Sequence, residues 1–185
     1  MKKTLFCGGL LLCSLALGAQ EGKAALDVML KNYGERNYAA EPVAKADLDL
    51  IVQAGLRAPS AMNKQPWHFT VVQDAALKGK VISGAEKGGA IIVISAKDDT
   101  NPRVTLDCAL AAENVYLAAQ ALGYGSRIYT GPVSDVNKKH KAALGLPSGY
   151  NAVILVRIGV LAKAGTDALS GASPRNAAKD MVTYK

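Results

Sequence analysis

The chain is poor in the residue types that most readily advertise a function. Cysteine occurs three times in 185 residues, and Cys7 and Cys13 both fall in the first 19. Cys108 alone remains downstream, so no internal disulfide can brace the body of the chain. It sits in an apolar helical pattern and reads as a small buried hydrophobe. The two histidines, His68 and His140, stand far apart, and no carboxylates cluster at ligand spacing. A metal site is therefore not expected. Aromatic residues make up 5% of the chain, and its 22 Lys and Arg are scattered without a dense run. The net charge of +7 then describes a solvated basic surface, and nucleic acid is not expected as a partner. No Gly-x-Ser-x-Gly elbow surrounds Ser60, which argues against a hydrolase. Gly123-Tyr124-Gly125 follows a helix and has Ile128 where a third glycine would stand, so it is not a dinucleotide fingerprint. The apolar run from Leu5 to Leu17 is too short for a comfortable membrane span.

That run has another meaning. Lys2 and Lys3 precede it, and Ala16, Gly18 and Ala19 offer a cleavage site before Gln20. This is the order of a secretory signal peptide over residues 1–19, and it predicts an exported, periplasmic product with no stable membrane span after cleavage. A lipid anchor on Cys13 is disfavoured by the bulky Leu12 before it, and an uncleaved anchor is the lesser alternative. Cleavage removes Lys2 and Lys3 and lowers the charge from +7 by two. Residues 20–185 are then one domain with enough interior for a core.

Along that domain, hydrophobic periodicity predicts a helix at 24–33 and another at 45–57. Strands follow at 67–73 and 90–95, with a short helix near 75–83 between them. The strongest helix runs over 103–122, with Val104, Cys108, Ala111, Val115, Ala118 and Leu122 on one stripe. Its other faces are rich in alanine, so it reads as buried over much of its circumference. A strand or loop through 127–131, a helix at 134–144, a turn at 146–150 and a strand at 152–160 complete the order. The tail over 162–173 is rich in Gly, Ala and Ser and reads as a loosely held arm. Helices alternating with three or four strands predict a single α/β layer structure.

The most informative stretch is Arg57-Ala58-Pro59-Ser60-Ala61-Met62-Asn63-Lys64-Gln65-Pro66-Trp67. It joins a helix to a strand, where functional loops concentrate. Pro59 and Pro66 stiffen it, Ser60 and Ala61 leave room for a flat ring, and the Asn63 amide offers a donor and an acceptor to an imide edge. As turn residues alone, Ser60 and Asn63 would merely cap the bend.

The stretch closely resembles the R-A-P-S-S-x-N-x-Q-P-W signature of the nitroreductase-like flavoenzymes, departing only at Ala61. Further matches run through the chain. Arg36, Tyr38, Pro42 and Val43 fit R-R-S-x-R-x-[FY]-x-x-x-P-V. Residues 111–126 are similar to A-A-Q-N-x-x-L-A-A-x-x-L-G-L-G-S, and 144–150 to L-G-I-P-x-G-Y. Pro174-Arg175 matches a basic pair in the C-terminal arm. The resemblance implies an α/β (α+β) nitroreductase-like fold: a central mixed sheet of 4–5 strands flanked by helices, with the C-terminal arm exchanged in a homodimer. It implies FMN at the subunit interface, lined by Pro59, Ser60, Ala61 and Asn63. Arg36 would approach the N1–O2 edge, and Tyr129, Thr130 and Gly131 would sit by N5. Asn32 and Gly34 occupy phosphate-side positions, where the family usually has an Arg and a Ser, and Arg175 would bind the phosphate. The implied activity is electron transfer, by ping-pong, from a reduced donor (NAD(P)H in the family) to a small oxidised acceptor such as a nitro compound or quinone. No side chain acts as acid or nucleophile; Arg36 would stabilise charge on the reduced ring. A flavin carrier, or a structural dimer without ligand, remains the alternative.

Overall fold

A computed structural model describes residues 23–162 and 175–185. The expected signal peptide over 1–19 and nearly all of the tail over 162–173 lie outside the described residues. The chain divides into two compact units, Met1–Asn32 and Tyr33–Lys185. In the first, helix α1 covers 23–31. Lys31 pairs with Asp27 one turn away at 3.1 Å, and the Asn32 amide donates to the Met29 carbonyl at the helix end.

The second unit is built on four strands: β1 (Trp67–Val72), β2 (Ala90–Ala96), β3 (Gly125–Tyr129) and β4 (Asn151–Gly159). They lie in the order β1-β2-β4-β3, so β3 and β1 are the outer strands. The expected α/β layering is present, but the mixed sheet needs one correction. Among the described strands every pairing is antiparallel. The reason lies in the connections. Helix α2 (Lys45–Leu56) precedes the sheet, and the short α3 (Ala75–Val81) joins β1 to β2. The segment 82–89 returns along α3, so the chain re-enters beside the end it left. The long α4 (Pro102–Ala121) does make a crossover from β2 to β3, which run the same way. Strand β4 lies between those two and faces each of them antiparallel.

Strand β2 is buried along its whole length, and its side chains alternate between two cores. Ile92 and Ile94 face α2 and α4, packing with Leu48, Ile51, Cys108 and Val115. Ile91 and Val93 face the other layer, with Val81, Val136 and Leu144. Burying both faces explains why β2 reads as a continuous apolar run without alternation. Helices α2 and α4 approach closely because Gly55 has no side chain. A Cβ there would fall 2.7 Å from Val115 Cγ2 and 2.9 Å from Phe69 Cε1. Helix α4 is less enclosed than its alanines suggest. Cys108, Ala111 and Val115 are buried, but Leu106 is 61% exposed and Leu122 lies at the surface.

The expected helix over 134–144 is broken up. Helix α5 keeps only Val133–Asp135, and Val136–His140 forms a wider π-type turn. There the Asn137 side chain acts as a strand neighbour, accepting from Ala152 N at 2.7 Å and donating to Ala152 O at 2.9 Å. A four-residue helix α6, Ala178–Met181, ends the described chain. No helix among the described residues is long and apolar enough to cross a membrane.

Candidate functional site

The signature loop lies at the surface between α2 and β1. Trp67 and Ala58 are buried at its two ends, while residues 62–65 are exposed. Ser60 is extended, and Ala61–Asn63 form one 3-10 turn. Met62 (φ 53°), Asn63 (φ 54°) and Gln65 (φ 46°) all adopt left-handed backbone. That conformation costs an L residue about 1–2 kcal/mol, so the loop stores roughly 3 kcal/mol or more. Its hydrogen bonds hold the shape. Asn63 N donates to Ser60 O at 2.9 Å and Lys64 N to Ala61 O at 3.2 Å. Gln65 N donates to Ser60 Oγ at 3.0 Å. Ala61 N donates to Asp107 Oδ1 of α4 at 3.1 Å. Just upstream, Asn114 of α4 donates to the Ala54 carbonyl at 3.0 Å. Asn63 Oδ1 accepts from Gln65 Nε2 at 3.1 Å, and its amide N–H groups have no partner among the described residues.

A second group gathers at β3. Glu35 N donates to Ser126 O at 3.0 Å, which seats the 34–37 segment against that strand. The buried Glu35 carboxylate accepts from the amides of Arg36 and Asn37, each at 2.6 Å. The Tyr38 hydroxyl donates to Glu35 O at 3.2 Å. These bonds fix the backbone at Arg36 and leave its guanidinium exposed, without a partner among the described residues. Gln120 of α4 donates to Tyr33 O and to Ser126 Oγ, both at 3.0 Å. Burial, reinforced by the Glu35 charge, pushes the Tyr33 phenol up to about 12.

Gly34 lies beside the stem of Arg127, whose Cγ would be 3.7 Å from a Cβ at that position. The Arg127 guanidinium lies 5.2 Å from the Tyr129 ring centre. Tyr129 ends β3, and Thr130 and Gly131 are exposed beyond it. Among the described residues, no atom beyond its chain neighbours lies within 4 Å of a Cβ placed at Gly131, so that side is open. Arg175 is exposed. Its charge is near enough to oppose the rise that burial causes in the Tyr116 phenol. Asn32 belongs to the other unit and caps its own helix.

The structure thus joins Gly34 and Arg36 to the strand that carries Tyr129, and holds Pro59, Ser60, Ala61 and Asn63 together elsewhere on α4. Asp107 and Gln120 mark the two attachments, and a helical rise of 1.5 Å per residue separates them by about 20 Å. Sequence reasoning missed Asp107, Gln120 and Arg127. The signal for Asp107 was present: a carboxylate two turns before Asn114 on an otherwise apolar helix face. His68 is exposed and meets Tyr150 edge-on at 5.9 Å. The Gly123 turn is an ordinary helix end, with φ of 84° after α4.

The model of the Nitroreductase family matches this chain over residues 33–91 and 83–160. The chain belongs to the Nitroreductase family. A protein of Archaeoglobus fulgidus provisionally named NADH dehydrogenase/NAD(P)H nitroreductase is 32% identical over 140 residues, which cover 67% of this chain and 78% of that protein. A crystal structure from Bacteroides thetaiotaomicron with the same provisional name superposes with a TM-score of 0.74 at 25% identity, covering 87% of this chain and 96% of that one. An FMN-dependent nitroreductase of Clostridium difficile gives 0.66 at 26% identity, covering 76% and 89%. The superposed proteins share the overall arrangement of sheet and helices described above.

Proposed function

We propose that the chain is an FMN-dependent oxidoreductase of the nitroreductase type, acting on a small oxidised acceptor such as a nitro compound or quinone. The observation that carries this reading is the surface loop over 60–65, with Met62, Asn63 and Gln65 in left-handed backbone and the Asn63 side-chain N–H groups without a partner among the described residues. A strained, braced and exposed loop fits ligand recognition better than core packing. The residues suit FMN. Ser60 and Ala61 leave space for a ring, Asn63 supplies donors to an imide edge, and Gly131 is open beside the end of β3. FMN when bound supplies two-electron chemistry. Arg36, whose backbone is anchored beside β3, would place a positive charge near FMN that favours its reduced form. Arg175 and Arg127 supply cations for the phosphate, in place of the basic residues that Asn32 and Tyr33 replace. No protein acid is required. Donor and acceptor would be used in turn, and a nicotinamide is the donor the family relation favours.

The reading includes a homodimer. About 20 Å of α4 separates the Asn63 loop from the Arg36 group in one chain, more than one flavin ring spans. Two copies bring the loop of one to the Arg36 group of the other. Exposed Leu106 and Leu110, one turn apart on α4, and Leu50 and Leu56 on α2 supply apolar surface for that contact. It also includes export, with cleavage before Gln20.

The visible spectrum of the purified protein is the first test. A yellow protein that bleaches with reductant and recovers with a nitroaromatic or quinone fits the proposal. A yellow protein inert toward acceptors fits a flavin carrier. A colourless protein that ignores added FMN refutes both. An intact mass starting at Gln20 in exported material tests the leader.

A further inference from the structure

Helix α4 holds the signature loop at one point and the end of α2, just ahead of it, at another. Asp107, 5% exposed, takes the Ala61 N–H at 3.1 Å, inside the loop. Asn114, two turns on and on the same helix face, reaches the Ala54 carbonyl at 3.0 Å, before the loop begins. The left-handed residues Met62, Asn63 and Gln65 follow directly after the first grip. Asp107 forms no ion pair among the described residues, and its neighbours in the core are apolar: Cys108, Ala111 and Ala112. A carboxylate buried there is costly. It adds nothing to the hydrogen bonding of α4, whose own ladder is complete at that point.

Its charge also has a local signature. Burial and then the neighbouring Asp107 carboxylate push the Cys108 thiol up to about 11. A hydrophobic residue would pack this position at lower cost. The acceptor that Asp107 aims at the loop is what such a residue would lack. The grip also decides which groups face outward. The backbone N–H groups of Ala61, Asn63, Lys64 and Gln65 are all consumed within the protein. These bonds fix the backbone on both sides of Asn63 and so serve to aim its side chain.

We infer that Asp107 and Asn114 are positioning residues, which hold the loop in its strained form and so orient Asn63 toward the flavin. This rests on the FMN reading for the identity of the ligand, but not for the grip itself. Two substitutions of similar shape separate the hydrogen bond from packing. D107N keeps an oxygen acceptor; D107L removes it. Two measurements are made on each: hydrogen exchange over 60–65 in the FMN-free protein, and the FMN dissociation constant from quenching of flavin fluorescence. In D107L the loop is expected to lose protection while β2 and β4 keep theirs, and FMN binding is expected to weaken about tenfold or more, the fold-change of a lost charge-assisted bond. In D107N both values stay within about threefold of the parent. Should D107L fail to fold, N114L is read in the same way from the other grip. Unchanged loop exchange on removing the acceptor overturns the inference, as does equal weakening in D107N and D107L. If the parent binds no FMN, the functional reading falls, and the exchange data alone still judge the grip.

Discussion

Close packing at the α2–α4 crossing predicts that one chemical change has opposite effects at two helical glycines. Gly55 lies in α2 against the α4 crossing, and an added methyl would sit 2.7 Å from Val115 Cγ2 and 2.9 Å from Phe69 Cε1. Val115 is fully buried among the core residues and cannot swing away. Overpacking of this kind costs about 1–3 kcal/mol. The better helix propensity of alanine returns up to about 1 kcal/mol. The expected net effect of Gly55→Ala is a loss of about 1–2 kcal/mol, or roughly 2–8 °C in midpoint for a domain of this size. Gly79 lies in α3, and the three atoms nearest a methyl there all belong to the exposed Glu86 side chain, with Oε1 at 2.5 Å and Cγ at 2.6 Å. That side chain rotates into solvent at little cost. Gly79→Ala is therefore expected to stabilise by about 0.5–1 kcal/mol. Urea unfolding followed by circular dichroism measures both. Shifts of the same sign in the two variants, or a neutral Gly55→Ala, would refute the close α2–α4 contact. Because Gly55 adjoins Ala54, where Asn114 holds the end of α2 that leads into the loop, Gly55→Ala is also expected to weaken FMN binding, and Gly79→Ala to leave it unchanged.

Four further outcomes are expected. Lys78, 3% exposed, donates to the carbonyls of Gly88 and Gly89, so Lys78→Met strands both and should cost about 2–4 kcal/mol in urea unfolding. In alkali, Tyr33 stays protonated up to about 12 in the folded chain, against 10.0 when unfolded. Its contribution is complete below pH 10 and is lost as pH rises toward 12, with Tyr38, also raised by burial, acting in the same direction. A spectrophotometric titration at fixed urea should show stability falling across that window, and a flat profile would contradict the burial of these rings. The Cys108 thiol, raised to about 11 by burial, should resist alkylation at pH 8 until the chain unfolds, as peptide mass mapping would report. Arg36→Ala should lower the flavin potential by about 30 mV, equivalent to about 1.4 kcal/mol for two electrons, with little change in melting temperature. Identical potentials would remove the role assigned to Arg36.

Much of the molecule was legible without coordinates because its signals are local. The apolar run at 90–95, the turn glycines and the Ala-rich helix each identify their element from nearest neighbours, and the boundaries of β1, β2, α4 and β4 agree to within a residue. The loop from Arg57 to Trp67 could be marked as functional because its prolines and small residues stand in an unbroken order. The turn at 136–140 was not legible, because the Asn137 side chain bonds to Ala152 on a strand that arrives later in the chain.

The order of most elements and the place of the loop were thus determined by the sequence itself, since each depends on residues that are adjacent along the chain. Only the tertiary structure decided that β4 enters between β2 and β3, making every described pairing antiparallel. It alone showed that Asp107 reaches back 46 positions to hold Ala61. It alone set the Arg36 segment on β3, toward the far end of α4 from that grip. Such pairings join groups remote in sequence, and their geometry exists only once the helices have packed on the sheet.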